Sequence, residues 1–544
     1  MTDRDPSIGP DGLTRRDRDI IRDVLAHYPE VRRVTLFGSR AISTFGRGSD
    51  IDLALEGPDL TPRMLTRIAT ELEDSDLPYK VDLLLRDDQL EPKLEAHIRR
   101  HGRPFGWELH HTQKLIAQAK LLIGDGYRAK NSELAISGLP FARAGNIDNG
   151  FHFENADRFP EEDLQKVGEK VSQLGDVVFT SKGTVGRLAL VRMNTPRFVY
   201  APQLCYWRIL DCDVIDHRWL YYWMCGSEFI QQVAGMKGQT DMADYVSLTD
   251  QRRMEITLPP IAEQRAIAAI LGALDDKIEQ NRRTAQALER LARAIFRVWF
   301  VDFEPIKAKA AGATAFPPMP QPVFDALPTR FVDSAIGPVP EGWEVGPVND
   351  LATLSKSQVK PQESPQEVFD HFSIPAFDAG MRPVVEAGSE IKSNKFLVVD
   401  GCVLLSKLNP RIARVWLPPT GRGRRQIAST EFLVFVPSQA ADRHYLYCEF
   451  QQTTFREQLA QGASGTSNSH QRVRPHDVLH RPIILSPAPT REAFAGIADT
   501  LFALAAANHD ESSKLAAMRD YLLPKLLSGE VRASESAKFS MAVA

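Results

Sequence analysis

Residues 258–300 read LPPIAEQRAIAAILGALDDKIEQNRRTAQALERLARAIFRVWF, and this stretch carries the strongest helical pattern in the chain. Two rows of residues recur along it at every seventh position. Such spacing predicts a helix whose seam pairs with another helix in a coiled coil, with one polar residue, Asn281, near its middle. The first row is Ile267, Leu274, Asn281, Leu288 and Ile295, and the second is Leu271, Ile278, Ala285, Ala292 and Trp299.

A second stretch, LSPAPTREAFAGIADTLFALAAANHDESSKLAAMRDYLLPKLL at residues 485–527, repeats this pattern. Asn508 lies in its seam 227 residues after Asn281, since 508 minus 281 is 227, and the Leu-x-Pro openings obey the same shift. The chain therefore contains two copies of one unit, a strand-rich domain followed by a long helix. The simplest packing is an antiparallel pair with Asn281 opposite Asn508, where buried Asn fixes the register. The alternative is that each helix only packs on its own domain.

The strand-rich parts also correspond between the copies. LGDVVFTSKGTVGRLALV and PQLCYWRI in the first copy run parallel to VVDGCVLLSKLNPRIARVWL and STEFLVFV in the second. Pro-rich sequence marks residues 305–342 as an irregular linker between them. The predicted regions are an N-terminal domain at 1–106, a strand-rich domain at 107–257, a helix at 258–304, a linker at 305–342, a strand-rich domain at 343–484, a helix at 485–530 and a disordered tail at 531–544.

These features closely resemble the specificity (S) subunit of type I restriction-modification enzymes over residues 107–530. The matching motifs, in order, are GDVVF-x-x-x-GTVGR, LPP-x-x-EQ, WFVDFEP and VPEGWE. The resemblance implies two target-recognition domains that read the halves of a split double-stranded DNA sequence. It also implies spacer helices that bind methyltransferase (M) subunits, with restriction (R) subunits as further partners. SPAPTREAF replaces the usual opening of the second helix, which puts the partner contact of that half in doubt.

Basic residues cluster in the parts that this resemblance assigns to DNA. A formal net charge of -4 does not indicate a nucleic-acid partner, so DNA binding requires a local concentration of positive charge. A solvated basic loop remains the alternative for any single residue. The candidate DNA contacts are Lys182, Arg187, Lys407, Arg411, Arg424 and Arg425, with Arg192, Arg414, Arg422, Arg472 and Arg474 close to them in sequence.

Composition is that of a globular protein, with 43% hydrophobic and 25% charged residues among 544. No apolar run is long enough to cross a bilayer and no signal peptide is recognisable, so we expect a cytoplasmic protein without membrane contact. The five cysteines form no CxxC pair, which indicates neither a disulfide framework nor a zinc site.

The segment FGSRAISTFGRGSDIDLALEG at residues 37–57 points to different chemistry. A helix at 13–28 precedes it, and strands are predicted for VRRVTLFG, SDIDLAL and YKVDLLL. Alternation along a strand places Asp50 and Asp52 on one face, and Asp82 follows on the neighbouring strand. Three carboxylates from adjacent strands suit Mg²⁺, which prefers oxygen ligands and keeps waters and phosphate oxygens as the rest. A lone DxD is more often a solvated edge than a metal site.

Residues 13–104 resemble the minimal nucleotidyltransferases of the DNA polymerase beta type, whose hallmark is GS, then DxD, then a later Asp. The resemblance implies adenylyl transfer from ATP with Mg²⁺, Asp50 and Asp52 holding the metal ions, and Asp82 completing the site and assisting deprotonation of the acceptor hydroxyl. Where many relatives have GSRARG, Ile42 and Ser43 replace the Arg and Gly. Nucleotide binding is assigned to Gly38, Ser39, Arg40 and Ser49, with Arg40 expected to neutralise the triphosphate.

The expected fold is thus α+β and multidomain: a small α/β nucleotidyltransferase domain, then two strand-rich target-recognition domains, each followed by a long helix, the two helices forming an antiparallel coiled coil. The first functional hypothesis is a DNA-specificity subunit with a fused Mg²⁺-dependent nucleotidyltransferase. The alternative is an antitoxin-like nucleotidyltransferase that modifies a toxin-like partner protein, with the duplicated part as a docking scaffold. Whether the N-terminal domain is a working enzyme stays open at this level.

Overall fold

The computed structural model of the protein describes residues 11–531 and residue 533, except for residues 32, 43, 47, 88–89, 149, 237–243, 422 and 463–470. These residues form two compact units, one holding the described residues up to 277 and from 514 onward, the other residues 278–513. No helix in this part of the chain is long and apolar enough to span a bilayer. Ser43, Arg422 and most of the predicted tail lie outside the described residues.

The N-terminal domain forms a four-stranded sheet in the order β3-β2-β1-β4, in which β2 runs antiparallel to β1 and parallel to β3. Thr14 caps the first helix: its hydroxyl accepts from the Asp17 N–H at 3.1 Å, and its own N–H donates to the Asp17 carboxylate at 2.7 Å. The elements are α1 (Arg15–Ala26), β1 (Arg33–Phe37), α2 (Gly38–Ala41), β2 (Ile51–Glu56), α3 (Pro62–Glu73), β3 (Val81–Leu85), α4 (Pro92–His101) and β4 (Arg103–Pro104).

The first strand-rich domain contains three sheets and a helical pair, and the first long helix follows it. Its strands are short, and the central ones are buried on both faces. The elements are β5 (Glu108–His111), α5 (Thr112–Ala117), β6 (Leu121–Asp125), β7 (Leu139–Ala142), β8 (Arg158–Phe159), α6 (Leu164–Val167), β9 (Val177–Thr180), β10 (Leu188–Leu190), β11 (Val199–Tyr200), β12 (Leu204–Ile209), α7 (His217–Cys225), α8 (Ser227–Met236), α9 (Leu248–Gln251), β13 (Glu255–Leu258) and α10 (Ile261–Phe296).

The linker is more ordered than predicted. It contains two short helices and a strand pair, because Phe324 and Leu327 are buried in the core of the second unit. The remaining elements are α11 (Glu304–Ala310), α12 (Gln321–Asp325), β14 (Phe331–Val332), β15 (Val339–Pro340), β16 (Glu344–Pro347), β17 (Ala352–Ser355), β18 (Gln358–Val359), β19 (Val368–Phe372), α13 (Ile374–Asp378), β20 (Val384–Ala387), β21 (Lys395–Leu397), β22 (Val403–Ser406), β23 (Val415–Trp416), β24 (Arg425–Ala428), β25 (Phe432–Pro437), α14 (Asp442–Gln451), α15 (Thr453–Gln461), α16 (Pro475–Leu479), β26 (Pro482–Leu485) and α17 (Ala488–Leu527).

The two copies share the strand order of their four-stranded sheet. The first has a sheet in the order β10-β9-β12-β6, and the second has the matching order β23-β22-β25-β17. The strand that precedes each long helix pairs with the strand that opens its domain, β13 with β5 and β26 with β16. β26 begins 227 residues after β13, since 482 minus 255 is 227. The predicted duplication is therefore present in the fold as well as in the sequence.

Each unit contains parts of both long helices. In the first unit, Leu271 from α10 and Leu526 from α17 belong to one buried cluster. In the second unit, Trp299, just beyond the end of α10, and Phe494 near the start of α17 share another. Each strand-rich domain thus has its core completed by its own helix and by the far end of the other copy's helix.

The helix segments run in opposite directions within each unit. In the first, Arg519 Nη1 contacts Asp275 Oδ1 at 2.9 Å, and the N–H of Ala533, later in the chain, donates to Glu263 earlier in α10. In the second unit, Asn281 of α10 contacts Glu511 of α17, and further along α10 the ring of Phe296 neighbours that of Phe494, which is earlier in α17. The two helices therefore run antiparallel here as well. Coiled-coil packing along the whole seam stays a prediction.

Candidate functional site

Three aspartates and a lysine occupy adjoining positions on β2 and β3 and the residues just before them. Asp52 and Asp82 are register partners across the parallel strands. Asp50 lies two residues before Asp52, and Lys80 lies two residues before Asp82, so alternation puts all four on one face. The Ile51 N–H donates to the Lys80 carbonyl at 2.8 Å, which extends the ladder to this end. We call these four residues the acidic array.

The charges of the acidic array act on one another. Burial raises the pKa of Asp52, and the negative charges of Asp82 and Asp50 raise it further. The Lys80 ammonium donates to Asp82 Oδ1 at 2.6 Å, and this hydrogen bond raises the pKa of Lys80. The carboxylates therefore share one electrostatic environment, in which an added cation would relieve their mutual repulsion.

Gly38 lies against the carboxylate of Asp52. Its φ is +69°, and a Cβ built there would be 2.1 Å from Asp52 Oδ2, so no other residue fits without moving the aspartate. Gly38 and Ser39 begin the one-turn helix α2 rather than a simple turn. The Ser39 carbonyl accepts from the Thr44 N–H at 2.9 Å, which closes the following loop.

Arg40 has a different role from the predicted one. Its side chain is buried, with 1% of the residue exposed, and donates to the backbone carbonyls of Asp11 at 2.8 Å and Ser49 at 2.7 Å. The guanidinium also lies over the Tyr79 ring, 4.3 Å from its centroid. A guanidinium held by carbonyls in the interior cannot reach a triphosphate, because it would have to leave these partners unsatisfied. Arg40 instead fixes the loop that presents Asp50.

Ser49 has a local role in the same loop. Its hydroxyl accepts from the Gly46 N–H at 2.9 Å, and its carbonyl accepts from Arg40. The side chain is half-buried. This bond orders the segment that enters β2, so nucleotide binding by Ser49 stays a prediction.

The chemistry of the acidic array fits a magnesium ion better than its present geometry does. Its oxygen donors are the type that Mg²⁺ prefers. Among the described residues, however, no three His, Cys, Asp or Glu side chains are gathered closely enough to hold a metal ion. Mg²⁺ is commonly bound by one or two carboxylates together with substrate phosphates and waters. Asp50 and Asp52 would be those two ligands, while Asp82 is engaged by Lys80.

The candidate DNA contacts fall largely in equivalent hairpin loops. Lys182 and Arg187 lie between β9 and β10, and Lys407 and Arg411 lie between β22 and β23, the matching strands of the second copy. Lys182 and Arg411 are exposed and Lys407 is half-buried. Among the described residues, no carboxylate forms an ion pair with the charged group of Lys182, Lys407 or Arg411.

Other basic side chains form hydrogen bonds or ion pairs within the protein. Arg187 donates to the Ile147 carbonyl at 2.9 Å, and Arg424 donates to the buried Asp370 at 2.8 Å. Arg414 is itself buried and pairs with Asp378, so it supports the fold. The remaining pairs join Arg425 to Glu367 at 3.7 Å, Arg192 to Asp276 at 2.8 Å and Arg472 to Glu431 at 3.1 Å.

Asn281 was predicted to stand opposite Asn508, but its hydrogen-bond partner on the other helix is Glu511. Asn281 is buried and donates to Glu511 Oε2 at 2.6 Å, whereas Asn508 donates to the Leu504 carbonyl of its own helix at 2.8 Å. The observed register places the residue three positions after Asn508 against Asn281. The polar contact is present, but its partner is a carboxylate.

A clamp at the start of each long helix was not recognised from the sequence. Gln264, of the EQ motif, is fully buried, accepts from the Asp216 N–H at 2.9 Å and donates to the Pro259 carbonyl at 2.8 Å. Arg491 stands at the equivalent place in the second copy and pairs with the buried Asp442 at 2.7 Å. Both side chains are largely buried, so this substitution changes the joint between helix and domain.

Two protein families match separate parts of the chain. Residues 19–105 match the family described as "Polymerase beta, Nucleotidyltransferase", and residues 123–290 match the family described as "Type I restriction modification DNA specificity domain". The acidic array lies inside the first match, and the loop with Lys182 lies inside the second.

Curated relatives extend the second likeness over most of the chain. The type I restriction enzyme MjaIX specificity subunit of Methanocaldococcus jannaschii is 24% identical over 392 residues, covering 69% of this chain and 82% of that protein. The type I restriction enzyme HindI specificity subunit of Haemophilus influenzae is 21% identical over 465 residues, covering 73% and 95%.

A solved structure is similar to the same region. The S subunit of a type I restriction-modification system from M. genitalium covers 77% of this chain and 96% of its own, at 12% identity and a TM-score of 0.47. By its family matches and curated relatives, the chain is similar to type I restriction-modification specificity subunits over most of its length and, in residues 19–105, to nucleotidyltransferases of the polymerase beta type.

Proposed function

We propose that residues 107–530 bind a bipartite double-stranded DNA target and assemble with methyltransferase and restriction subunits in the cytoplasm. The observation that carries the proposal is the duplicated recognition domain within a chain that matches the DNA specificity family. Two domains with the same four-stranded sheet but different polar loops suit two different half-sites. Arg, Asn and Gln at base edges would give sequence preference, and lysines at phosphates would give affinity.

Lys182 and Arg411 are the best candidates for phosphate contacts, because they occupy equivalent hairpins and are exposed. Each neutralised phosphate contributes about 0.9 to the slope of log affinity against log salt concentration. The double variant Lys182→Ala/Arg411→Ala should therefore lower that slope by about 2 and weaken binding to all sequences alike.

The experiment measures binding to the selected DNA target between 50 and 200 mM salt, with the target taken from a random-sequence selection by the full chain with its M subunits. The matched control is Arg16→Ala, which removes an exposed charge from the N-terminal domain. A slope unchanged by the loop variant would exclude these contacts. Failure of the full assembly to enrich any sequence would overturn DNA recognition itself.

We further propose that the N-terminal domain transfers an adenylyl group from ATP to a hydroxyl of a partner protein. Magnesium, held by Asp50 and Asp52, would supply charge neutralisation for the phosphates. Gly38 allows the backbone to approach Asp52, and Arg40 keeps the loop before β2 in place. Asp82, on the neighbouring strand, is placed to accept the proton of the acceptor hydroxyl once Lys80 releases it.

Labelled ATP with magnesium tests this second proposal. The full chain should label a protein encoded beside it, and Asp50→Ala/Asp52→Ala should not. Asp59→Ala, at an exposed aspartate of the same domain, is the matched control and should retain transfer. Absence of label on every neighbouring protein, with the parent chain folded, would contradict the proposal.

A further inference from the structure

Lys80 is the cation of the acidic array, and its contact with Asp82 is not its only possible role in nucleotidyl transfer. Register places it beside Asp50, just as Asp82 is placed beside Asp52. Its side chain is 60% exposed, and the ammonium lies 2.6 Å from Asp82 Oδ1. The array thus combines three carboxylates with one solvent-facing ammonium.

We propose that Lys80 binds the β- and γ-phosphates of the nucleotide triphosphate, the role that the sequence assigned to Arg40. This inference rests on the proposed nucleotidyl transfer. It names the side chain that touches the substrate and makes Lys80 a catalytic residue of that site.

Reach and chemistry favour Lys80 over Arg40. The Arg40 guanidinium is buried and held by backbone carbonyls. The Lys80 ammonium stands in solvent on a flexible stem and offers three donors to phosphate oxygens. Its position beside Asp50 and Asp52, which would hold magnesium, would bring it close to the phosphates of a bound nucleotide.

The contact with Asp82 does not prevent this role. An exposed lysine–carboxylate pair contributes little free energy and is readily exchanged. The phosphates of a bound nucleotide would offer the ammonium of Lys80 a partner of higher negative charge than the Asp82 carboxylate. Lys80 therefore leaves Asp82 as the nucleotide enters, and Asp82 becomes available to the acceptor hydroxyl.

The reaction balances with Lys80 as a charge stabiliser only. The acceptor oxygen forms a bond to the α-phosphorus as its proton passes to Asp82. The bond from the α-phosphorus to the bridging oxygen breaks, and pyrophosphate leaves with that electron pair. The ammonium of Lys80 stabilises the negative charge that develops on this leaving group and keeps its own protons throughout.

Binding measurements separate this role from a structural one. Titration calorimetry with magnesium would compare α,β-methylene-ATP, which carries the β- and γ-phosphates, with AMP, which lacks them. Lys80→Met should weaken the triphosphate analogue by about 10- to 100-fold and leave AMP unchanged. Lys80→Arg should retain most of the affinity. Lys93→Met removes another exposed lysine of the domain and should change neither ligand.

The outcomes are distinguishable. If the parent binds the analogue and transfers label, and Lys80→Met does both equally well, the assignment of Lys80 is wrong while the proposed function stands. Stronger binding of magnesium alone by Lys80→Met, with unchanged affinity for the analogue, would make Lys80 a simple counter-ion of Asp82 and also overturn the assignment. If the folded parent binds neither nucleotide, both the function and the assignment fall.

Discussion

Replacing Arg208 by methionine should destabilise the first recognition domain by about 3–5 kcal/mol, the usual cost of leaving one buried charge without its partner. Asp176 is fully buried, and only 7% of the Arg208 side chain is exposed. Two parallel bonds of 2.8 Å join Arg208 Nε and Nη2 to the two carboxylate oxygens. The Tyr200 hydroxyl donates to the same carboxylate at 2.7 Å. Methionine keeps the apolar volume but leaves the carboxylate without a cation.

The second copy indicates that the pair is replaceable as a unit. Val177 pairs with Trp207 in the first copy, as Val403 pairs with Phe435 in the second. The preceding and following positions therefore match Asp176 with Cys402 and Arg208 with Val436. The double variant Asp176→Cys/Arg208→Val places these uncharged residues in the first domain and should cost much less than the sum of the single changes.

Hydrogen exchange in the full chain measures this locally, which matters because a chain with several domains does not unfold in one step. The amides of β9 and β12 should exchange roughly two to three orders of magnitude faster in Arg208→Met, since each 1.4 kcal/mol is about tenfold. Amides of β22 and β25 in the second domain provide the internal control. A single variant that accelerates exchange less than about fivefold, or a double variant as damaging as the sum, would refute the reasoning.

Three further outcomes follow from the structure. Burial lowers the pKa of His444 to about 4, whereas the same side chain in the unfolded chain accepts a proton below about pH 6.5. The stability of the second domain, compared with that of the His444→Phe variant, should therefore fall by about 1.4 kcal/mol per pH unit between pH 6.5 and pH 4. Urea titrations over this pH range measure the difference. Gly38→Ala should abolish adenylyl transfer while the overall circular dichroism is retained, because the new Cβ displaces the Asp52 side chain and strains the backbone only locally at a positive φ. Gln264→Ala should lower the local stability of the joint between α10 and its domain by about 3 kcal/mol, because the Asp216 N–H loses its acceptor. The amides at the start of α10 should then exchange faster. Unchanged exchange would contradict a stabilising role of Gln264.

Local patterns predicted the acidic strands and the duplication. Alternation along SDIDLAL and YKVDLLL was enough to bring Asp52 and Asp82 together, because strand periodicity fixes the face of every side chain. The shift of 227 residues likewise survives as paired strands in both copies. The same rule places Lys80, two residues before Asp82, on this face, but a metal-ligand pattern of carboxylates does not indicate a role for a cation.

Tertiary context decided the residues whose roles were missed. Arg40 follows the Gly-Ser motif directly, but its direction depends on the chain returning at Asp11 and Ser49. The partner of Asn281 depends on how far one helix is shifted along the other, and a shift of one turn replaces Asn508 by Glu511. Periodicity identifies a seam, whereas register is set by the packing of all its side chains.

The reciprocal closure of the two cores has a consequence for how the chain can be divided. Trp299, just past the end of α10, and Leu526, near the end of α17, are equivalent positions, since 526 minus 299 is 227, and each fills the core of the opposite copy. A fragment that ended after α10 would expose Trp299 and lack Leu526 in its own domain. Two such fragments supply each other's missing part. Half of this chain should therefore exist in solution as a helix-exchanged homodimer rather than as a stable monomer.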